Sequence, residues 1–328
     1  MLRYESMKKP LTAQELLDLF AAAPAREQFG PGSDTPYIAF NLRGSDPSLT
    51  DWLRNLPCPI IGIGAGALSA ACDVVLADDK KFPIIARNIT HAPIAAMVLV
   101  QHLRASEDLS LRQTLTAESF AYATVQNGPE FKSWLSGYKK QSLPMSNAPQ
   151  VLVQSDSDIL SLTLNRAKTR NAIGTDMRDA LCEALDIALV DNSISKVKLS
   201  ARGATFSTGG AIEEFGEVSD PATAHWVRSL RLPALKLAQL SDKLHVHVNG
   251  AAIGAGAEIA AFGRHVTASP KAWFQLPELK YGLIPGAGGT ASIPKRIDRQ
   301  RTAYMALSME KIKAKTALDW GLIDQVID

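Results

Sequence analysis

Between Asn249 and Ala261, every residue except Asn249, Ile253, Glu258 and Ile259 is glycine or alanine. The run follows the alternating segment HVHV (245–248), which reads as a strand. Side chains this small let the backbone turn tightly and let a helix approach a sheet closely. The spacing predicts a strand, a turn, and a helix that opens at Gly254-Ala255-Gly256. The first amides of such a helix lack intrahelical acceptors and lie at the positive end of the dipole, a place suited to a developing oxyanion. Glu258 falls early in that helix, close to those amides. Taken alone, the pattern serves equally for close packing with a solvated glutamate.

The surrounding chain alternates strand and helix, which predicts an α/β class with crossover connections. TAQELLDLFAAA (12–23) begins with a Thr-x-x-Glu capping box at helical spacing. YIAFNL (37–42), PIIGI (59–63) and CDVVLAD (72–78) read as strands, while 93–103 and 116–126 read as helices. Residues 138–150 are polar, carry two prolines and show no periodicity, so they read as a linker. The second half restarts with a hairpin over 151–165, a helix over about 177–190 and a strand over 196–201. The domains expected are therefore 1–148 and 149–328.

Two other segments could carry chemistry. Glu278 follows a proline in FQLPELKYGLIPGAGGT (274–290), a loop too rich in glycine for ordinary packing. Two carboxylates converging on one cavity suit acid–base work at a carbon–carbon bond. The turn ATFSTGGA (204–211) can aim a backbone N–H into a cleft. Paired with the amide near Ala255, it would make a two-donor hole for a thioester oxyanion.

Together with LTLNRAKTRNAI (162–173) and TALDWGLIDQVID (316–328), these segments resemble the crotonase, or enoyl-CoA hydratase/isomerase, superfamily. The resemblance covers residues 151–328 in order and implies a repeated ββα superhelix, or spiral. It implies that Glu258 and Glu278 hold one water and add it across the double bond of a 2-enoyl-CoA. In that scheme Glu278 exchanges the Cα proton and Glu258 activates the water. The amides of Gly210 and Ala255 correspond to the oxyanion hole, and Lys168, Thr169 and Arg170 to the loop that meets the CoA nucleotide. No cofactor is implied, coenzyme A entering as part of the substrate, and the partner expected beyond acyl-CoA is the chain itself, as a trimer or hexamer.

This sequence departs from the family pattern at several places. Ala255 stands where glycine is usual, Ala211 where aspartate is common, and Gln275 where glycine is common, so a reshaped acyl pocket is expected. The chain stops at Asp328, whereas the family usually continues into helices that complete the CoA site. In the first half, residues 57–82 look like a shortened strand–turn–strand of the same family and 115–128 like its later helix. Residues 1–148 are thus read as a degenerate, non-catalytic repeat that covers or packs the second half.

Other signals are weaker. Gly62-Ile-Gly64-Ala-Gly-Ala67 fits a dinucleotide fingerprint, but the acidic residues that follow come too early. His245, His247 and His265 lack an acidic partner at ligand spacing, so no metal is expected. Arg228 and Arg231 lie near the expected acyl pocket, where they could meet a substrate carboxylate or simply face solvent. The formal charge of +2 gives no reason for a nucleic-acid or membrane partner. Three scattered cysteines and the lack of an apolar leader point to a soluble cytoplasmic protein. An isomerase, a hydrolase, a lyase or a non-catalytic acyl-CoA-binding subunit are the alternatives to a hydratase.

Overall fold

The computed structural model describes residues 9–34, 36–141 and 147–327. The expected linker, 138–150, therefore lies partly outside the described residues.

In the first half, Thr12 caps α1 (Ala13–Ala21) through the capping box. Its hydroxyl accepts from the Glu15 amide at 3.2 Å, and the Glu15 carboxylate accepts from the Thr12 amide at 2.7 Å. The chain continues through β1 (Ile38–Asn41), α2 (Thr50–Asn55), β2 (Ile60–Ile63) and β3 (Val74–Leu76). The three strands are parallel in the order β1-β2-β3. Period-two alternation divides β1 between two cores. Ile38 and Phe40 pack with Leu16, Leu49 and Leu53 on one side, while Tyr37 and Ala39 join the main core on the other. Four helices follow: α3 (Phe82–His91), α4 (Pro93–Ala105), α5 (Leu111–Gln126) and α6 (Pro129–Gly137). The glycine fingerprint leads from β2 into a 3-10 turn, Ala67–Ala71, so the α-helix that would present amides to a dinucleotide is absent there.

The second half begins with the hairpin of β4 (Val151–Asp156) and β5 (Ile159–Leu164), then α7 (Thr175–Val190). From there a strand–strand–helix unit recurs. The first unit is β6 (Lys196–Ala201), β7 (Thr205–Ser207), α8 (Pro221–Arg231) and α9 (Pro233–Leu240). The second is β8 (Leu244–Val248), β9 (Ala251–Ile253) and α10 (Ala255–Ala260). The third is β10 (His265–Ala268), β11 (Trp273–Gln275), α11 (Gly289–Ser292) and α12 (Pro294–Ser308). The chain then runs through β12 (Ile312–Lys313), α13 (Ala314–Trp320) and β13 (Gln325–Val326).

Each unit gives its first strand to a six-stranded sheet, β13-β10-β8-β6-β5-β4, and its second to a four-stranded sheet, β12-β11-β9-β7. Successive units stack in parallel, with Val246 opposite Val266 in one sheet and Ala252 opposite Phe274 in the other. This is the spiral expected from the resemblance. The second sheet is the part that periodicity did not mark, because strands of three residues are too short to show alternation. Stacking the units places the ends of β7, β9 and β11 at one edge, where the turns that follow them meet.

The halves share one core and several buried polar ties. Asn88 of α3 donates to the carbonyls of Leu307 and Ser308 at 2.9 and 3.0 Å. Asp73, fully buried at the start of β3, accepts from the Ile60 amide, from Arg104 of α4 and from Arg299 of α12. Among the described residues, no single helix is long and apolar enough to cross a membrane.

Candidate active site

The edge where β7, β9 and β11 end opens into a cavity of about 280 Å³. Glu258 reaches it from the first turn of α10, and Glu278 from the 3-10 turn after β11; both line it. Glu258 is buried, and its Oε2 accepts from the amides of Ala287 and Gly289 at 2.7 and 2.8 Å. Its Oε1 has no partner among the described residues. Glu278 leans across Gly254, where an added Cβ would stand 2.6 Å from its Oε1. The backbone there has φ +48°, a conformation that glycine adopts readily and other residues do not. The Glu278 Oε2 is enclosed and has no hydrogen-bond partner among the described residues.

Burial raises the pKa of both carboxyls. Glu278 is pushed up to about 8, chiefly by burial, with Glu118 adding repulsion. Glu258 is held well above its ordinary value by burial first and then by the charges of Glu278 and Glu118. Two buried carboxyls that repel each other in this way resist ionising together. The Ala287 and Gly289 amides favour the charged form of Glu258, and the backbone amide of Glu278 does the same for its own carboxyl.

Gly210 and Ala255 line the same cavity, on adjacent turns. The parallel pairing of Ser207 with Ala252 sets those turns side by side. Ser207 pins the first one: its hydroxyl donates to the Asn171 carbonyl at 2.7 Å and accepts from the Gly209 amide at 3.0 Å. Gly209 has φ +85°, and a Cβ there would come within 2.7 Å of the Ile253 carbonyl oxygen. The amides of Gly210 and Ala255 are taken by no other group among the described residues. The alanine methyl at 255 leaves its amide in place.

Lys168, Thr169 and Arg170 are not brought together with the glutamates. They form a turn outside the cavity lining, with Lys168 and Arg170 exposed, and the Arg170 carbonyl accepts from the amide of the lining residue Thr208 at 3.1 Å. Gln275, expected to reshape the acyl pocket, is not among the residues that line the cavity. Its amide donates to the Met309 carbonyl at 2.6 Å. His245 and His265 lie side by side on neighbouring strands, their ring centres 5.8 Å apart and away from the cavity.

Sequence reasoning placed no site residue in the first half, yet α5 forms part of the cavity wall. Tyr122 and Gln126 line it, and Glu118 is buried behind it. Glu118 accepts from the Gly288 amide at 2.7 Å and from the Thr290 amide and hydroxyl at 2.9 and 2.5 Å. Burial pushes its carboxyl up to about 7. From α6, Trp134 packs edge-on against Tyr281 at 4.9 Å. Only the apolar spacing of α5 is local information; that its polar face meets residues 286–290 depends on contacts more than 150 positions away. Arg228, expected either to meet a substrate carboxylate or to face solvent, is half-buried against the cavity.

Comparison with known proteins places this geometry among relatives. The sequence model of the family described as enoyl-CoA hydratase/isomerase matches residues 154–328. The chain is 34% identical over 179 residues to the 2,3-dehydroadipyl-CoA hydratase of Escherichia coli K12, covering 54% of this chain and 69% of the relative. It is 32% identical over 182 residues to the 1,2-epoxyphenylacetyl-CoA isomerase of the same organism, covering 54% and 70%. Among solved structures, an enoyl-CoA hydratase subunit of Geobacillus kaustophilus superposes with a TM-score of 0.51 at 26% identity, over 56% of this chain and 70% of that one.

Proposed function

Because the chain belongs to the enoyl-CoA hydratase/isomerase family, we propose that it hydrates a 2-enoyl-CoA, or dehydrates the 3-hydroxyacyl-CoA in reverse. The observation that carries this reading is that Glu258 and Glu278 line one cavity, each with a carboxyl oxygen that no donor among the described residues takes, beside two uncommitted amides. The thioester oxygen accepts from the Gly210 and Ala255 amides, which stabilise the enolate that forms as water adds at Cβ. Ionised Glu258 takes the proton of the attacking water. Protonated Glu278 delivers its proton to Cα as the enolate collapses, and the pair regains its starting protonation when the next water binds. Its own backbone and two carboxyls thus supply each proton and each charge-stabilising contact. The first half acts as cover, α5 closing the cavity and α6 bracing Tyr281.

The test is the loss of conjugated-enoyl absorbance with crotonyl-CoA and longer 2-enoyl-CoAs. Turnover that falls about 10²–10⁴-fold in both Glu258→Gln and Glu278→Gln supports the reading. Binding of CoA thioesters without turnover on any of them overturns it in favour of a non-catalytic subunit.

A further inference from the structure

Arg228 is a half-buried cation that no carboxylate among the described residues pairs with. It projects from α8 toward α5, where Nε donates to the Ser119 hydroxyl at 3.0 Å, Nη1 to the Gln126 Oε1 at 3.3 Å and Nη2 to the Ser119 carbonyl at 3.3 Å. All three acceptors are neutral. A guanidinium carries five N–H donors, so each terminal nitrogen keeps one donor free. Glu118 shares the neighbourhood, but its own donors are Gly288 and Thr290. Glu118 is near enough to attract the guanidinium but makes no direct ion pair with it, and a buried charge that lacks a direct partner is costly. Holding one at the wall of a cavity is explained if an anion completes it.

The surroundings are built for such an anion. Arg228 lies over the Tyr122 ring, 4.8 Å from its centre, and both line the cavity with Gln126. The Tyr122 hydroxyl has no hydrogen-bond partner among the described residues, and bonding its carbonyl to Arg228 leaves the Gln126 amide nitrogen open. Arg228, Tyr122 and Gln126 thus form one contiguous stretch of the wall of the cavity that Glu258 and Glu278 also line.

We infer that Arg228, with Tyr122 and Gln126, forms a carboxylate-binding subsite that selects acyl-CoA thioesters whose acyl chain ends in a second carboxylate. The inference rests on the acyl-CoA reading above and deepens it by naming the substrate class. A carboxylate there accepts from the two free guanidinium donors and from the tyrosine hydroxyl, a geometry suited to arginine's planar fork. A neutral chain of the same length leaves those donors and the charge unanswered.

The experiment compares the binding of hexanoyl-CoA and adipyl-CoA to the full chain by calorimetry, and the turnover of the corresponding 2-enoyl thioesters. Wild type is expected to favour the dicarboxylic thioester at least about tenfold, since a charge-assisted hydrogen bond contributes on the order of 1.5–3 kcal/mol. Arg228→Gln should bring the ratio of the two dissociation constants to near one, and Arg228→Lys should restore part of it. The wild-type ratio stands whether or not a variant folds. Equal binding of the two thioesters by wild type, or an unchanged ratio in a folded Arg228→Gln protein, overturns the subsite alone. Failure to bind either thioester overturns the acyl-CoA reading together with it.

Discussion

Glu118 and Glu258, one from each half of the chain, hold alternate amides of a single loop. Glu258 accepts from residues 287 and 289, and Glu118 from 288 and 290. The segment that leads into α11 is thus gripped from both sides. The oxygen that Glu258 leaves free is aimed by the same bonds that tie its other oxygen to the loop.

Glu118→Gln should loosen that grip. A glutamine has one acceptor oxygen where the carboxylate uses two, so either the Gly288 amide or the Thr290 pair faces an NH2 group. The expected cost is about 1–3 kcal/mol, and a lower melting temperature by thermal denaturation checks it. Removing the charge also lifts repulsion on Glu278, whose pKa then falls and carries the basic limb of the rate profile to lower pH. A basic limb that stays in place or moves up would contradict the assigned coupling.

The hydration proposed above implies a pH dependence set by Glu278. It must be protonated to deliver its proton, so kcat/KM should decline as pH rises through about 8. Stability responds in the same direction. In the unfolded chain this carboxyl ionises near 4.5, whereas in the folded one it keeps its proton until about 8, so the native state binds more protons between these values. Its contribution is fully present below pH 4.5 and is lost progressively up to about pH 8. Melting curves of wild type and Glu278→Gln across that window should converge at low pH, the variant becoming relatively more stable as pH rises.

Gly254→Ala should damage turnover more than folding. The added methyl enters the space of Glu278 Oε1 from a backbone at φ +48°. A strained φ costs on the order of 1–3 kcal/mol, and the displaced carboxyl should lower kcat about 10²-fold. Steady-state kinetics beside circular dichroism separates the two effects. A folded variant with wild-type kcat would mean that Glu278 does not need its present position.

Asp73 is the test of the tie between halves. It is fully buried against Arg104, Arg299 and the Ile60 amide. Asp73→Ala leaves two arginines without their shared counter-charge, a loss of about 3–5 kcal/mol. Denaturant unfolding followed by fluorescence should show a lower midpoint. Independent halves would instead unfold in two separate steps, the second-half step unmoved.

Much of this protein was written locally. The capping box at Thr12, the hairpin chemistry at 155–158, the alternation in HVHV and the glycine–alanine run after it each follow from steric and hydrogen-bonding rules that act over a few residues, and they placed Glu258, Glu278 and both turns in order along the chain. Neighbours in sequence could not specify the three-residue strands of the second sheet, which exist because stacked units pair them, or the turning of Gln275 toward Met309. Nor could they disclose that the face of α5 bearing Glu118 and Tyr122 closes the cavity, or that Arg228 meets no carboxylate there. Those facts depend on which surfaces the spiral and the first-half helices bury against each other. Desolvation and long-range Coulomb forces, which raise the pKa of Glu258 and Glu278, arise only once that burial is complete.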